Sequence, residues 1–92
     1  MAMHMNDWGL KSKLGYNLVA AYDLFDKWYY SDYEKRWRYN RTTVKCYKNE
    51  THFLVRLLTR TYTWDLVYNT AEEANAKVKS LFESCDFHKK TL

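Results

Sequence analysis

The fold turns on SDYEKRWRYNRTTVKCYK, residues 31–48, where a helical opening gives way to sequence suited to strands. Ser31-Asp32-Tyr33-Glu34 has the S-x-x-E form of a capping box, in which a hydroxyl and a carboxylate each satisfy a free backbone N–H at a helix start. From Thr42 onward the composition shifts to Thr, Val, Tyr and Phe, side chains that sit well on a pleated surface and lose rotamer freedom in a helix. The same stretch gathers charge. Between Tyr33 and Lys48 stand six basic residues, Lys35, Arg36, Arg38, Arg41, Lys45 and Lys48, against the single acid Glu34, in a chain whose net charge is +4. Tyr33, Trp37, Tyr39 and Tyr47 are interleaved with them, so the segment is cationic and rich in flat rings at once.

Upstream, Leu10, Leu14, Leu18, Tyr22, Phe25 and Tyr29 recur at spacings of three or four, the repeat of one helix face. This predicts a helix over about 8–30 with Asp7 as its N-cap and with Leu24 and Trp28 widening the apolar face. Gly15 would then lie inside it, at a cost of roughly 1 kcal/mol against alanine. At Ser31 two continuations compete: a short second helix, or the first helix running on to about Arg38 through Tyr33 and Trp37.

Downstream, alternating and β-branched residues predict strands over 42–48, 51–58 and 62–68, with turns at Asn49-Glu50 and Thr59-Arg60. The second turn lacks Gly, Asn and Pro, so a helix over part of 51–60 is the competing reading there. Thr70-Ala71-Glu72-Glu73 is another capping box, and Ala74, Val78, Leu81 or Phe82, and Cys85 form a stripe behind it, predicting a helix over 71–84. Residues 1–6 and 86–92 read as flexible ends. The sum is a small α+β sandwich of order α-β-β-β-α, both helices packed on one face of a three-stranded antiparallel sheet whose other face is open. Its expected core is Leu14, Leu18, Phe25, Val44, Val55, Leu57, Trp64, Leu66, Val78 and Leu81.

Ninety-two residues make one domain, 1–92. At 47% hydrophobic and 28% charged, with no apolar run near the ~20 residues of a spanning helix, the chain reads as soluble and away from membranes. Two cysteines are no disulfide framework, and the start MAMHMNDWGLKSK lacks a secretory signal, so a reducing cytoplasmic setting is expected. The triplets Asn40-Arg41-Thr42 and Asn49-Glu50-Thr51 are then chance matches to a glycosylation acceptor. Proline is absent and glycine occurs only at positions 9 and 15, which excludes the glycine-rich phosphate loops of Walker and Rossmann type.

Cys46, His52, Cys85 and His88 could in principle supply a zinc site, but a two-residue turn at 49–50 would point Cys46 and His52 to opposite faces of their hairpin. No metal and no cofactor is expected. No glycine-framed serine or telling carboxylate pair accompanies the histidines, and Asp23 and Asp26 read as solvated, so no catalytic residue is assigned. What is left is the basic aromatic surface: Tyr33, Lys35, Arg36, Trp37, Arg38, Tyr39, Arg41 and Lys45. Arginine forks suit acidic surfaces, and Tyr, Trp and Arg are the residue types enriched at interface hot spots.

The sequence thus suggests a non-enzymatic binding or inhibitory module whose partner is a host protein or protein complex with an acidic surface. A small, proline-free, Tyr- and Lys-rich chain is the composition expected of an accessory protein from a virus or mobile element. The alternative is direct binding of RNA or single-stranded DNA, with bases stacked on the rings and phosphates on the cations. Two-sided apolar strands also leave room for a homodimer. The competing structural reading makes Trp37 and Tyr39 core residues and the charges ordinary surface.

Overall fold

The computed structural model describes residues 6–92, and within them every side chain except those of Asp7, Lys27, Trp28, Tyr29 and Tyr39. Of the expected flexible start, residues 1–5 lie outside the described residues. The order is α1 (Asp7–Leu14), β1 (Asn17–Ser31), β2 (Arg36–Lys48), β3 (Phe53–Leu58), β4 (Thr63–Tyr68), α2 (Ala71–Ser84) and β5 (Phe87–Lys90). The strands form one five-stranded antiparallel sheet, β4-β3-β2-β1-β5. The expected α-β-β-β-α sandwich on three strands is therefore wrong: a mostly β structure replaces it.

The error begins at Gly15, which stops the first helix after eight residues rather than sitting inside it. Its φ of 70° is left-handed, and its N–H donates to the Lys11 carbonyl at 3.2 Å, an αL cap that suits glycine because no Cβ opposes it. The start of α1 is capped by Asn6, not Asp7: its Oδ1 accepts from the Gly9 N–H at 2.7 Å. Beyond Gly15 the supposed helix face becomes β1. A spacing of four satisfies a period of two as well as 3.6, so Leu14, Leu18 and Tyr22 cannot distinguish helix from strand.

β1 carries two irregularities of register, between Leu18 and Ala20 and between Asp26 and Trp28. Each adds one residue to β1, and the first turns the side chains that follow it to the other side of the sheet. Leu18 thus packs with Leu10, Tyr16, Tyr47 and Leu54 beneath α1. Tyr22 and Leu24 instead join Val44, Val55, Ala74 and Val78 beneath α2. Tyr47 and Leu54 are direct cross-strand partners, as are Cys46 and Val55, and the two pairs alternate. The helices therefore lie on opposite faces, and neither face is the open one expected.

Of the expected core, Val44, Val55 and Val78 are buried, whereas Leu18, Phe25, Leu57, Leu66 and Leu81 are half-buried. Leu14 is 49% exposed at the end of α1 and Trp64 is 55% exposed beside Tyr62, so both predictions fail. α2 matches its expected span, with the Thr70 hydroxyl accepting from the Glu73 N–H at 3.2 Å. The C-terminal tail extends the sheet rather than fraying: β5 pairs with β1 across 22–25. Phe87 stacks on Phe25 at 4.7 Å, and His88 stacks on Phe82 at 3.9 Å.

The two hairpin loops that sequence placed at 49–50 and 59–60 are each four residues long and are built alike. Asn49 Oδ1 accepts from the N–H groups of Thr51 and His52 at 2.9 and 2.7 Å, and the Asn49 N–H donates to the His52 carbonyl. Thr59 Oγ1 accepts from Thr61 and Tyr62 at 3.3 and 3.1 Å, and the Thr59 N–H donates to the Tyr62 carbonyl. The side-chain acceptor does what glycine or proline does in commoner turns.

Candidate functional site

β3 pairs with β2 only from Thr43 to Lys48, and β5 pairs with β1 only from Tyr22 to Phe25. Between Asp26 and Asn40 the sheet narrows to β1 and β2 alone. This two-stranded arm carries most of the predicted surface and helps draw the molecule out to 46 Å against 25 Å in the other directions.

Such a ribbon has little burial to hold it, so local contacts must. At its end the Lys35 N–H donates to the Ser31 carbonyl at 2.7 Å, with Lys35 itself at φ 58°. The Ser31 hydroxyl accepts from the Glu34 N–H at 3.2 Å. That is the contact expected of a helix cap, here closing a loop between strands, so neither the second helix nor the extension to Arg38 forms. The Glu34 carboxylate accepts from Arg38 Nη1 and from Arg36 Nε, the latter at 2.9 Å. The Arg38 and Arg36 hydrogen bonds hold its carboxyl below the ordinary carboxylate range. Next along the arm, Tyr30 meets its cross-strand partner Trp37 edge to face at 5.6 Å.

The predicted residues are consequently divided. Tyr33 and Lys35 occupy the loop at the tip, Tyr33 with 96% of its surface exposed. Strand alternation places Arg36 and Arg38 on one face and Trp37 and Arg41 on the other. Trp37 is 61% exposed, which removes the reading that it is core. Tyr39 belongs to β2, opposite Trp28, and its side chain lies outside the described residues. Lys45 is not part of the arm: it is half-buried in the body of the sheet between Ala21 and Arg56.

Where β3 ends, the far edge of β2 and the β3–β4 loop enclose a cleft of about 820 Å³. Arg38 and Asn40 line it from the arm, Arg41 and Thr42 from β2 at the arm's base, Leu58, Arg60 and Tyr62 from the other side, and Glu34 supplies the one carboxylate among the described lining residues. Arg60 and Tyr62 were not legible as site residues, because nothing local says that a loop about twenty positions away folds against Arg41. The Thr59 turn that aims them is the signal that could have found them.

Cys46, Cys85, His52 and His88 are not among the residues that line this cleft. Cys46 pairs with Val55, because the loop is two residues longer than the expected turn at 49–50, which would have set Cys46 opposite Phe53. His52 lies in that loop, its Nδ1 2.7 Å from the Thr51 hydroxyl. Among the described residues no group of three or more His, Cys, Asp or Glu side chains is placed to hold a metal ion. Burial pushes the thiols of Cys46 and Cys85 above the ordinary 9.0, the direction opposite to activation. Burial likewise raises the phenols of Tyr16 and Tyr68 above 10.0, helped by Asp65 and Glu73 respectively.

All four groups bind their protons more tightly when folded than when unfolded. Their contribution is whole below the unfolded values and is lost as pH climbs through the folded ones. The urea midpoint is therefore expected to fall progressively above about pH 9. A midpoint that held constant to about pH 11 would show that these groups are open to water.

No helix among the described residues is long and apolar enough to cross a membrane. Comparisons of the chain with protein-family models, with curated proteins and with solved structures each return no match.

Proposed function

We propose that this chain is a non-enzymatic binding or inhibitory module, acting in the cytoplasm, that occupies an acidic host protein or protein complex through its arm and the adjoining cleft. The observation that carries this reading is the arm itself. It exposes Tyr33, Trp37 and a set of arginines beyond the reach of both helices, where they serve neither core. Rings give large contact area at low entropic cost, and arginine forks pair with carboxylates, so the combination fits a protein partner rich in Asp and Glu.

The triple variant Arg36→Glu, Arg38→Glu, Arg41→Glu tests it. Because the arm lies outside both cores, the body of the sheet should stay folded. Arg36→Glu and Arg38→Glu also remove the hydrogen bonds to Glu34 at the arm's end, so Arg41→Glu alone, which leaves them in place and should move stability by no more than about 0.5 kcal/mol, is the control. Capture of a discrete protein from nuclease-treated lysate by the wild type, and its loss with the variant, is the expected result. Loss of all capture on nuclease treatment, with direct binding to purified RNA or single-stranded DNA that weakens steeply with salt, would give the arm to nucleic acid instead. A triple variant that captured the same protein as wild type would reduce the arm to solvated surface.

A further inference from the structure

The partner's form can be argued from the edge of β2. In the body of the sheet β2 has β1 on one side and β3 on the other, but β3 stops at Leu58, opposite Thr43. Along residues 36–42 β2 continues for seven positions with β1 still paired to it, and no strand of the described residues lies on its far side. A strand edge left in this way offers main-chain donors and acceptors to any extended chain. Natural edges are usually blunted by proline, by lysine or by great shortness. Here the edge is neither short nor proline-bearing, its charges are Arg36, Arg38 and Arg41, which repel a basic strand and attract an acidic one, and the cleft runs beside it.

The cleft also sets the sign of the occupant. Arg38, Arg41 and Arg60 line it against Glu34, and Arg41 makes no salt bridge among the described residues. The corresponding stretch of β1, residues 26–31, contains Asp26 and no arginine. We infer that the cleft receives an extended acidic segment of the partner, which adds to β2 at 36–42 as a further antiparallel or parallel strand in the line that β3 vacates. Alternate side chains of that segment would then meet Arg41 on one face and Arg38 on the other, so acidic residues are read by position and the main chain by pairing. About six residues, or roughly 20 Å of strand, fill the available length. This rests on the proposed protein-binding function and specifies it.

The test uses the full chain and an eight-residue peptide of alternating Glu and Val, blocked at both ends, beside two N-methylated series of it, one methylated at the odd residues and one at the even, and an oligo-dT of similar length. Binding is followed by calorimetry and by amide chemical shifts. The unmodified peptide is expected to bind, with the largest shifts at β2 residues 36–42. Each N-methylated series removes donors on one edge, and the series that strips the paired edge should lose about tenfold or more in affinity. Arg41→Ala should weaken the unmodified peptide while leaving the spectrum of the sheet unchanged.

Equal affinity for both N-methylated series and the parent would overturn strand addition. So would a failure of all peptides to bind while the charge-reversed arm still loses its captured protein, and in that case the proposed function survives. Binding of oligo-dT with no binding of peptide would overturn both. Self-association through residues 36–42, seen as dilution-dependent shifts there, would assign the edge to a second copy and overturn the acidic segment.

Discussion

Asp65→Ala is expected to cost about 3–5 kcal/mol, the loss typical of a buried cation stripped of its partner. Arg56 is 2% exposed, on β3 between β2 and β4, and its guanidinium holds both oxygens of Asp65, its direct partner on β4, at 2.7 and 3.0 Å. The two side chains retain 3% and 5% of their accessible surface, so water cannot take over for either. The Tyr47 ring also lies 5.9 Å from the guanidinium carbon, a cation–π contact that cannot replace a carboxylate. The loss is a large share of the whole, since domains retain roughly 5–15 kcal/mol. The double variant Arg56→Met, Asp65→Leu should recover most of it, because the cost lies in the unpaired charge rather than in the pair's net worth. Urea denaturation of the two variants decides this. A loss under about 1 kcal/mol for Asp65→Ala would mean that the pair is solvated.

The second large effect separates a sheet covered on both faces from one covered on a single face. Leu54→Ala is expected to cost about 2–5 kcal/mol, as for a leucine whose cavity cannot be filled by collapse. Leu54 is 3% exposed and packs with Leu10, Tyr16 and Tyr47 on the side of β3 opposite Val55. Had both helices covered one face, this residue would face solvent and its truncation would cost little. Leu24→Ala, in the cluster beneath α2, should cost a similar amount. Near-additive losses in the double variant would show that the clusters are distinct, and a cost below about 1 kcal/mol for Leu54→Ala would restore the open-faced sheet.

α2 and β4 were readable because their periods are unambiguous, alternation at Thr63–Tyr68 and a Thr70 cap followed by Ala74 and Val78, whereas β3 was read against a competing helix and β2 only from Thr42, short of its start at Arg36. Residues 17–31 were not, since spacings of four serve either period and the two added residues in β1 break the alternation that would have marked a strand. Gly15 held the decisive information, and a glycine inside a supposed helix is better weighed first as its end. Ser31 misled for a different reason. A hydroxyl accepting from the N–H three residues on is made at a helix start by Thr70 and at loops by Ser31 and Thr59, so the motif marks a change of direction without specifying the element beyond it. The basic aromatic residues were legible as surface, but their separation onto two faces, the removal of Lys45 to the sheet body and the entry of Arg60 required the pairing of strands.

The arm's position outside both clusters divides the chain's residues between two kinds of selection. A change at Leu24 or Leu54 is judged by whether the domain holds together, and nearly every alternative is worse. A change between Asp26 and Asn40, away from the contacts that close the arm's end, is judged by what the arm touches, and the body of the sheet is indifferent to it. Pairs of residues can be added to or removed from the two strands together without altering which side chains face α1 or α2. Reach and specificity can drift with a changing partner while the body stays fixed, and comparison of related chains, where they are found, should show variation concentrated between those two positions and length differences that come in matched pairs.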